Sequence, residues 1–273
     1  MASDSDHPDP LRVALVQLTP VDGDKARNLA AAGEAVAAAA RAAAHVVVLP
    51  EYVLTGFPAK RMATLTEPLD GPSVTAFRSM AADAEVLLVA GLPRVGVAAP
   101  GAALPIYDTT VVIAPDGELL SIYDKTHLFD REKAVFTPGP AFAPPFAFGG
   151  VHFGVLCCFD IEFPETARTL ALRGAQCLLV PSANMEPWGE HHRAFVRSRA
   201  LENHAFVAYA NAVGASSGYV FEGQSCLVDP LGRLLCDAGR GETVVWGDVD
   251  LTLCAKAREV GDYLDERRPD LYD

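Results

Sequence analysis

"LRVALVQLTPVDGDKARNLAAAGEAVAAAARAAAHVVVLPE", residues 11–51, decides the fold class. Its opening, "LRVALVQLTP" (11–20), is a continuous apolar run of the kind that forms a strand buried on both faces. "DKARNLAAAGEAVAAAARAAA" (24–44) predicts an alanine-rich helix with Leu29, Val36 and Ala40 on one stripe. "HVVVLPE" (45–51) is a second buried strand, closed by Pro50. Strand, helix, strand is a βαβ unit, which favours parallel pairing through a right-handed crossover.

The alternation continues with a helix at about 72–84 and the strand "VLLVAGLP" (86–93). "YDTTVVIAPDGELLSIYDK" (107–125) then reads as an antiparallel hairpin turning at Pro115-Asp116-Gly117. "GVHFGVLCCFD" (150–160) predicts another strand, "PETARTLALRGA" (164–175) a helix with proline at its start, and "CLLVPSAN" (177–184) a buried strand stopped by proline. A helix at about 189–203, the strand "AFVAYANAV" (205–213), a hairpin around "DPLGR" (229–233), the strand "TVVWGDVD" (243–250) and a short helix complete the body. The two halves share a loose order, βαβ followed by a hairpin. No linker divides them, which predicts one domain over residues 11–273 behind a flexible acidic leader, residues 1–10. The pattern gives an α/β or mixed α+β class of layered sheets and helices.

A formal charge of −13 and a pI near 4.9 argue against nucleic acid or an anionic membrane as partner. The longest apolar runs stop well short of the roughly 20 residues that span a bilayer. "MASDSDHPDP" has neither a basic nor an apolar signal region, which points to a cytoplasmic protein. The six cysteines, Cys157, Cys158, Cys177, Cys226, Cys236 and Cys254, form no C-x-x-C and lie mostly in apolar stretches, as reduced cytosolic cysteines do. Metal is not expected: no cysteine–histidine spacing suits zinc, and His191 and His192 diverge by about 100° on a helix.

Ligands in α/β proteins gather beyond the carboxyl ends of strands. Three residues stand there: Glu51 after "VVVLP", Lys125 after "LLSIYD" and Cys158 after "HFGVLC". Singly, each has a plainer reading, as a solvated carboxylate, a strand-end charge or a core thiol. Together they suit acyl transfer from an amide, with a base for the thiol and an ammonium for the oxyanion.

At these residues the sequence resembles the nitrilase superfamily of carbon–nitrogen hydrolases, most closely its amidase-like branch. "LPEYVLTGFP" (49–58) resembles the motif of the general base, on Glu51. "YDKTHLF" (123–129) resembles that of the catalytic lysine, on Lys125. "GVLCCFDIEFPE" (154–165) resembles the nucleophile motif, and counting from Gly154 puts the nucleophile at Cys158. "FDREKAVFTPG" (129–139) resembles the segment of the positioning glutamate, Glu132, and "RALEN" (199–203) and "FEGQSCLVDPLG" (221–232) match later patterns.

The resemblance implies a four-layer αββα sandwich of two mixed sheets, a homodimer or higher homo-oligomer, a small-molecule amide substrate and no cofactor. It implies a Glu-Lys-Cys mechanism with the backbone N–H of Phe159 beside Lys125 at the oxyanion. Nitrilases proper tend to carry Trp then Glu after the cysteine, whereas Phe159 and Asp160 follow here, which favours amides over nitriles. Tyr52, Phe57, Asn184, Met185 and Trp188, past strand ends, are the candidates for the substrate pocket, with Glu162 placed to repel acidic substrates. N-carbamoyl amino acids and ω-amides of dicarboxylic acids are the alternative substrates, with Arg61, Arg193 or Arg197 as a carboxylate clamp. A binding protein on the same fold and a redox role for Cys157-Cys158 are further alternatives. Strand alternation sends the two cysteines to opposite faces, which makes Cys157 a core residue and disfavours a disulfide.

Overall fold

The computed structural model describes residues 9–98, 101 and 103–272. The expected leader lies outside these residues except for its last two. The first half forms strands β1 (Leu11–Gln17), β2 (Val46–Val48), β3 (Leu87–Val95), β4 (Ile106–Ile113) and β5 (Leu119–Asp124), with helices α1 (Lys25–Arg41), α2 (Met62–Leu65) and α3 (Pro72–Ala84). The second half carries β6 (Phe146–Phe148), β7 (Val151–Val155), helix α4 (Pro164–Leu172), β8 (Cys177–Ser182), helix α5 (Gly189–Asn203) and β9 (Phe206–Asn211). Strands β10 (Val213–Ser216), β11 (Tyr219–Glu222), β12 (Cys226–Val228), β13 (Leu234–Asp237) and β14 (Thr243–Val249) and helix α6 (Thr252–Val260) follow.

Two six-stranded mixed sheets result, in the orders β14-β1-β2-β3-β4-β5 and β13-β12-β9-β8-β7-β6. Each has three parallel strands at its centre, β1-β2-β3 and β7-β8-β9, flanked by antiparallel neighbours. The period of two along a strand sorts side chains into layers. Val13 and Leu15 of β1 face the other sheet, in a cluster with Phe153, Val155, Leu179 and Phe206. Ala14 and Val16 face α1 and α3, against Val36, Ala39 and Phe77. Beyond the second sheet Leu178, Val180 and Val207 pack on Leu170 of α4 and Val196 of α5. The layers are helix, sheet, sheet, helix, as the motifs led us to expect. Burying each such Val, Leu or Phe contributes about 1.5–3 kcal/mol, so the inter-sheet cluster is a main source of the force that stacks the halves.

Three local differences from the sequence reading bear on function. Helix α1 is shorter than expected, because Asp24 caps it by accepting from the Arg27 N–H at 3.1 Å and the chain leaves it at Ala42–Ala43. Strand β7 ends at Val155 rather than running to Asp160, and residues Cys158–Glu162 form a single 3₁₀ turn. Its cause is Asp160, whose carboxyl accepts the Cys157 N–H at 3.0 Å and so removes that donor from the ladder. A hairpin absent from the sequence reading, β10–β11, turns on Ser217-Gly218, both at positive φ, as a two-residue hairpin loop requires.

Candidate active site

The edge where the carboxyl ends of β2, β7 and β8 meet holds a buried polar cluster. Glu51 arrives three residues past β2, its N–H donating to the Ser182 carbonyl of β8 at 3.2 Å, which pins one sheet end to the other. Lys125 is the first residue after β5. Its N–H donates to the Asp108 carbonyl and its own carbonyl accepts from Gly139, both at 2.8 Å. A Cβ at Gly139 would lie 2.0 Å from the Asp124 carbonyl oxygen, so only glycine permits this packing. Glu132 sits in the 3₁₀ turn Asp130–Ala134.

The Lys125 ammonium joins the carboxyls. Its Nζ donates to Glu51 Oε1 at 2.7 Å and to Glu132 Oε1 at 2.8 Å, and lies 3.8 Å from Asp108 Oδ2. Glu132 is held from behind by the Phe129 N–H at 2.7 Å and by the Tyr52 hydroxyl at 2.7 Å. Tyr52, expected only as pocket wall, therefore also positions Glu132. All four ionisable side chains are nearly inaccessible. Burial lowers the Lys125 pKa, but the charges of Glu132 and Glu51 more than reverse this and hold the group well above the ordinary ammonium value. Burial raises the Glu51 carboxyl. The charge of Lys125 and the hydrogen bonds from Lys125 and Cys157 outweigh it, leaving Glu51 below the usual range. Glu132 ends above it, burial exceeding the pull of Lys125.

Cys158 stands at φ 44°, a left-handed conformation that costs a non-glycine residue about 1–3 kcal/mol. It lines the cavity described below, whereas Cys157 does not. Burial first, and then the Glu51 charge, push the Cys158 thiol well above its usual value, so the resting thiol is neutral. Cys157 is not the bystander that strand alternation implied. With β7 over at Val155, alternation no longer governs the pair, and the Cys157 thiol donates to Glu51 Oε1 at 3.1 Å. It is buried in the inter-sheet cluster together with Cys158, and both are free.

Asp160 knits the cysteine turn to the lysine segment. Besides the Cys157 N–H, it accepts from the Tyr123 hydroxyl at 2.6 Å, the Thr126 hydroxyl at 2.9 Å and the His127 N–H at 3.0 Å. Lys125 lies between these donors in sequence, so one fully buried carboxyl sets the spacing of lysine and cysteine.

A cavity of about 190 Å³ opens on Cys158 and Glu132. Tyr52, Phe57, Asn184, Met185 and Trp188, all expected from the sequence, line it, together with Phe159, which was expected only for its backbone N–H. Phe129, Phe195, Tyr219 and Phe221 add apolar wall that sequence reasoning missed. The last two come from the β10–β11 hairpin, whose Ser-Gly turn was the available signal. Glu162 and His192 also line it, 2.9 Å apart. No Lys or Arg does so among the described residues. Arg193 instead pairs with Gln224 and Asp237, Arg197 bonds the Gly232 carbonyl, and Arg61 is exposed elsewhere. Ligand atoms of Glu51, Asp108 and Cys157 fall within 4.8 Å of one another, the one metal-type grouping among the described residues. The Lys125 ammonium already supplies a cation to it.

No helix among the described residues is long and apolar enough to cross a membrane. The profile of the carbon–nitrogen hydrolase family matches residues 12–259. The chain is 38% identical over 260 residues to an (R)-stereoselective amidase of a Pseudomonas species, covering 94% of this chain and 92% of that protein. It is 33% identical over 273 residues to an omega-amidase of Homo sapiens, covering 96% of each. It superposes with a TM-score of 0.85 and 32% identity on an amidase from Nesterenkonia sp. AN1, over 96% of this chain and 95% of that one. That structure is a glutamate-to-glutamine mutant with the acetamide moiety of fluoroacetamide added covalently at the active-site cysteine. A cysteine-to-alanine mutant of the same amidase, in complex with butyramide, matches equally well.

Proposed function

The chain belongs to the carbon–nitrogen hydrolase family, and from that premise we propose an amidase that hydrolyses small carboxamides to carboxylate and ammonia through a cysteine thioester. The observation that carries this reading is the Lys125 ammonium within 2.8 Å of both Glu51 and Glu132, beside Cys158 on the wall of an apolar cavity.

Glu51 takes the Cys158 proton as sulfur attacks the amide carbonyl, which suits a thiol that is neutral at rest. Lys125, fixed as a cation, and the backbone N–H of Phe159 hold the oxyanion. Collapse of the adduct breaks the C–N bond, and Glu51 returns its proton to the departing nitrogen. Glu51 then activates water to open the thioester. Glu132 orients Lys125 and the substrate amide nitrogen.

The substrate we favour is an uncharged aliphatic or aromatic amide. The pocket's charged residues are Glu132 and Glu162, which repel a carboxylate, and none of the three candidate arginines lines it. This weighs against ω-amide acids and N-carbamoyl amino acids, although an omega-amidase is among the relatives. Ammonia release from neutral amides, ω-amide acids, ureido acids and nitriles tests the choice, and faster turnover of an acid-bearing substrate overturns it. Intact-mass detection of an acyl group on Cys158 tests the mechanism.

We further propose that residues 11–273 act as one catalytic domain in a cytoplasmic homodimer or larger homo-oligomer. Leu172, Leu201, Tyr263 and Tyr272, exposed around α4, α5 and the C-terminal segment, support an apolar contact between copies. Light scattering measures it.

A further inference from the structure

Asp108 belongs to none of the motifs that carry the resemblance, yet it is part of the same buried cluster. It sits on β4 and is 2% exposed. Its nearest donors are remote: Lys125 Nζ at 3.8 Å and the Cys157 sulfur at 3.9 Å from Oδ2. Its Oδ1 is buried with no hydrogen-bond partner, and Glu51 Oε2 is in the same condition. A carboxylate oxygen of each side chain lies within 4.8 Å of one of the other's.

Two ionised carboxylates have no hydrogen to share, so two neighbouring carboxyls that each carry a donor-less oxygen in a closed interior are a cost that native structures avoid. The charge count points the same way. Glu51, Asp108 and Glu132 face a single ammonium, and like charges a few ångströms apart do not all ionise. One proton on the pair provides the missing donor and reduces the surplus charge. Glu51 has Lys125 at 2.7 Å and Glu132 has it at 2.8 Å. Asp108 has no donor so near, and the proton falls to it.

We infer that Asp108 is a positioning residue that stays protonated in the working enzyme and donates its carboxyl hydrogen to Glu51. This rests on the reading of Glu51 as general base. The neutral acid stabilises the ionised form of Glu51, fixes the orientation of its carboxylate and leaves Oε1 to Lys125 and the thiols. Burial, followed by the charge of Glu51, also raises the Asp108 pKa well above the carboxylate range. The groups around Asp108 are Glu51 and Tyr52 after β2, Lys125 after β5, Glu132 in its turn, and Cys157 after β7.

The sign of one shift separates the alternatives. If Asp108 is a neutral donor, Asp108→Leu removes a stabilising hydrogen bond, and the acid limb of kcat/KM moves up in pH. If Asp108 is ionised, its removal relieves repulsion and the limb moves down. Asp108→Leu is expected to lose about 10- to 100-fold in kcat/KM, the worth of one hydrogen bond to a charged group. Asp108→Asn retains a donor and should recover at least about tenfold of that loss, with the limb near its original place. A downward or absent shift in Asp108→Leu overturns the inference. Infrared difference spectra of the wild type against Asp108→Asn at neutral pH give a readout independent of activity. The carboxylic-acid carbonyl band should be present in the wild type and missing from the variant, and its presence in neither overturns the inference. Should Glu51→Gln keep full activity while that band still differs, the general-base assignment fails and the protonated Asp108 stands.

Discussion

The Cys157 thiol donates to the same Glu51 oxygen that Lys125 holds, at 3.1 and 2.7 Å, while its neighbour Cys158 faces the cavity. Adjacent residues of one type thus differ in surroundings, one bonded to Glu51 and the other on the cavity wall. Cys158→Ala should abolish ammonia release, while Cys157→Ala should retain activity to within about tenfold, since an S–H is a weak donor. Iodoacetamide should label Cys158 first, with a rate still climbing past the ordinary thiol pKa of about 8.5. Peptide mass mapping reads both, and preferential labelling of Cys157 would reverse the assignment.

Glu51 is held ionised below the usual carboxylate range. Its folded pKa is depressed, so the stability it contributes is present above the unfolded value and is lost as pH falls through the folded one. The acid limb that Glu51 sets in kcat/KM should therefore lie at or below about pH 4.3, the ordinary glutamate value, with the limb that Glu132 sets above it. A limb that begins near neutrality would sink this expectation.

Lys125 is displaced the other way. Its contribution is complete below the unfolded ammonium pKa and is lost only as pH rises through the higher folded value. Lys125→Met leaves buried carboxylates without a counter-charge and should cost about 3–5 kcal/mol. Urea unfolding measures that cost, and activity should vanish even at temperatures where the variant is folded.

Asp160→Leu strands the N–H groups of Cys157 and His127 and the Tyr123 hydroxyl, at about 1–3 kcal/mol for each buried donor left unpaired. A fall in melting temperature together with about a 100-fold or greater loss of kcat is expected. Full activity in a destabilised variant would show that the turn keeps its shape without this anchor.

Glu162→Gln takes one negative charge from the pocket wall. The ratio of kcat/KM for a carboxylate-bearing amide to that for a neutral amide of equal length should rise, by about 30-fold if the charges come within 4 Å of each other at an effective dielectric near 40, and by more at a lower one. Steady-state kinetics on the two amides suffices, and an unchanged ratio would show that Glu162 does not face the acyl group.

Runs such as "VVVLPE" and "CLLVPSAN" made the parallel strands legible, because a strand buried on both faces needs unbroken apolar sequence. Glu51, Lys125, Glu132 and Cys158 were legible through ordered motifs, and the structure brings them to one edge. What escaped depended on contacts between distant segments. Asp108 reads as an ordinary hairpin residue until β4 sets it against Glu51 and Lys125. The end of β7 was hidden because its strand-like residues continue to Cys158, and the interruption comes from Asp160 reaching back. Tyr219 and Phe221 were overlooked because a four-residue hairpin arm leaves little periodicity to count.

The division of labour between the sheets makes catalysis a gauge of their registry. In the proposed mechanism, base, ammonium and positioning acids come from residues 51–132, attached to the first sheet, and the nucleophile from residue 158, attached to the second. A slide of one sheet past the other by a single residue, about 3.3 Å, would carry sulfur out of reach of its base without breaking a helix or a ladder. Mild denaturant should therefore silence the enzyme before circular dichroism reports any loss of structure.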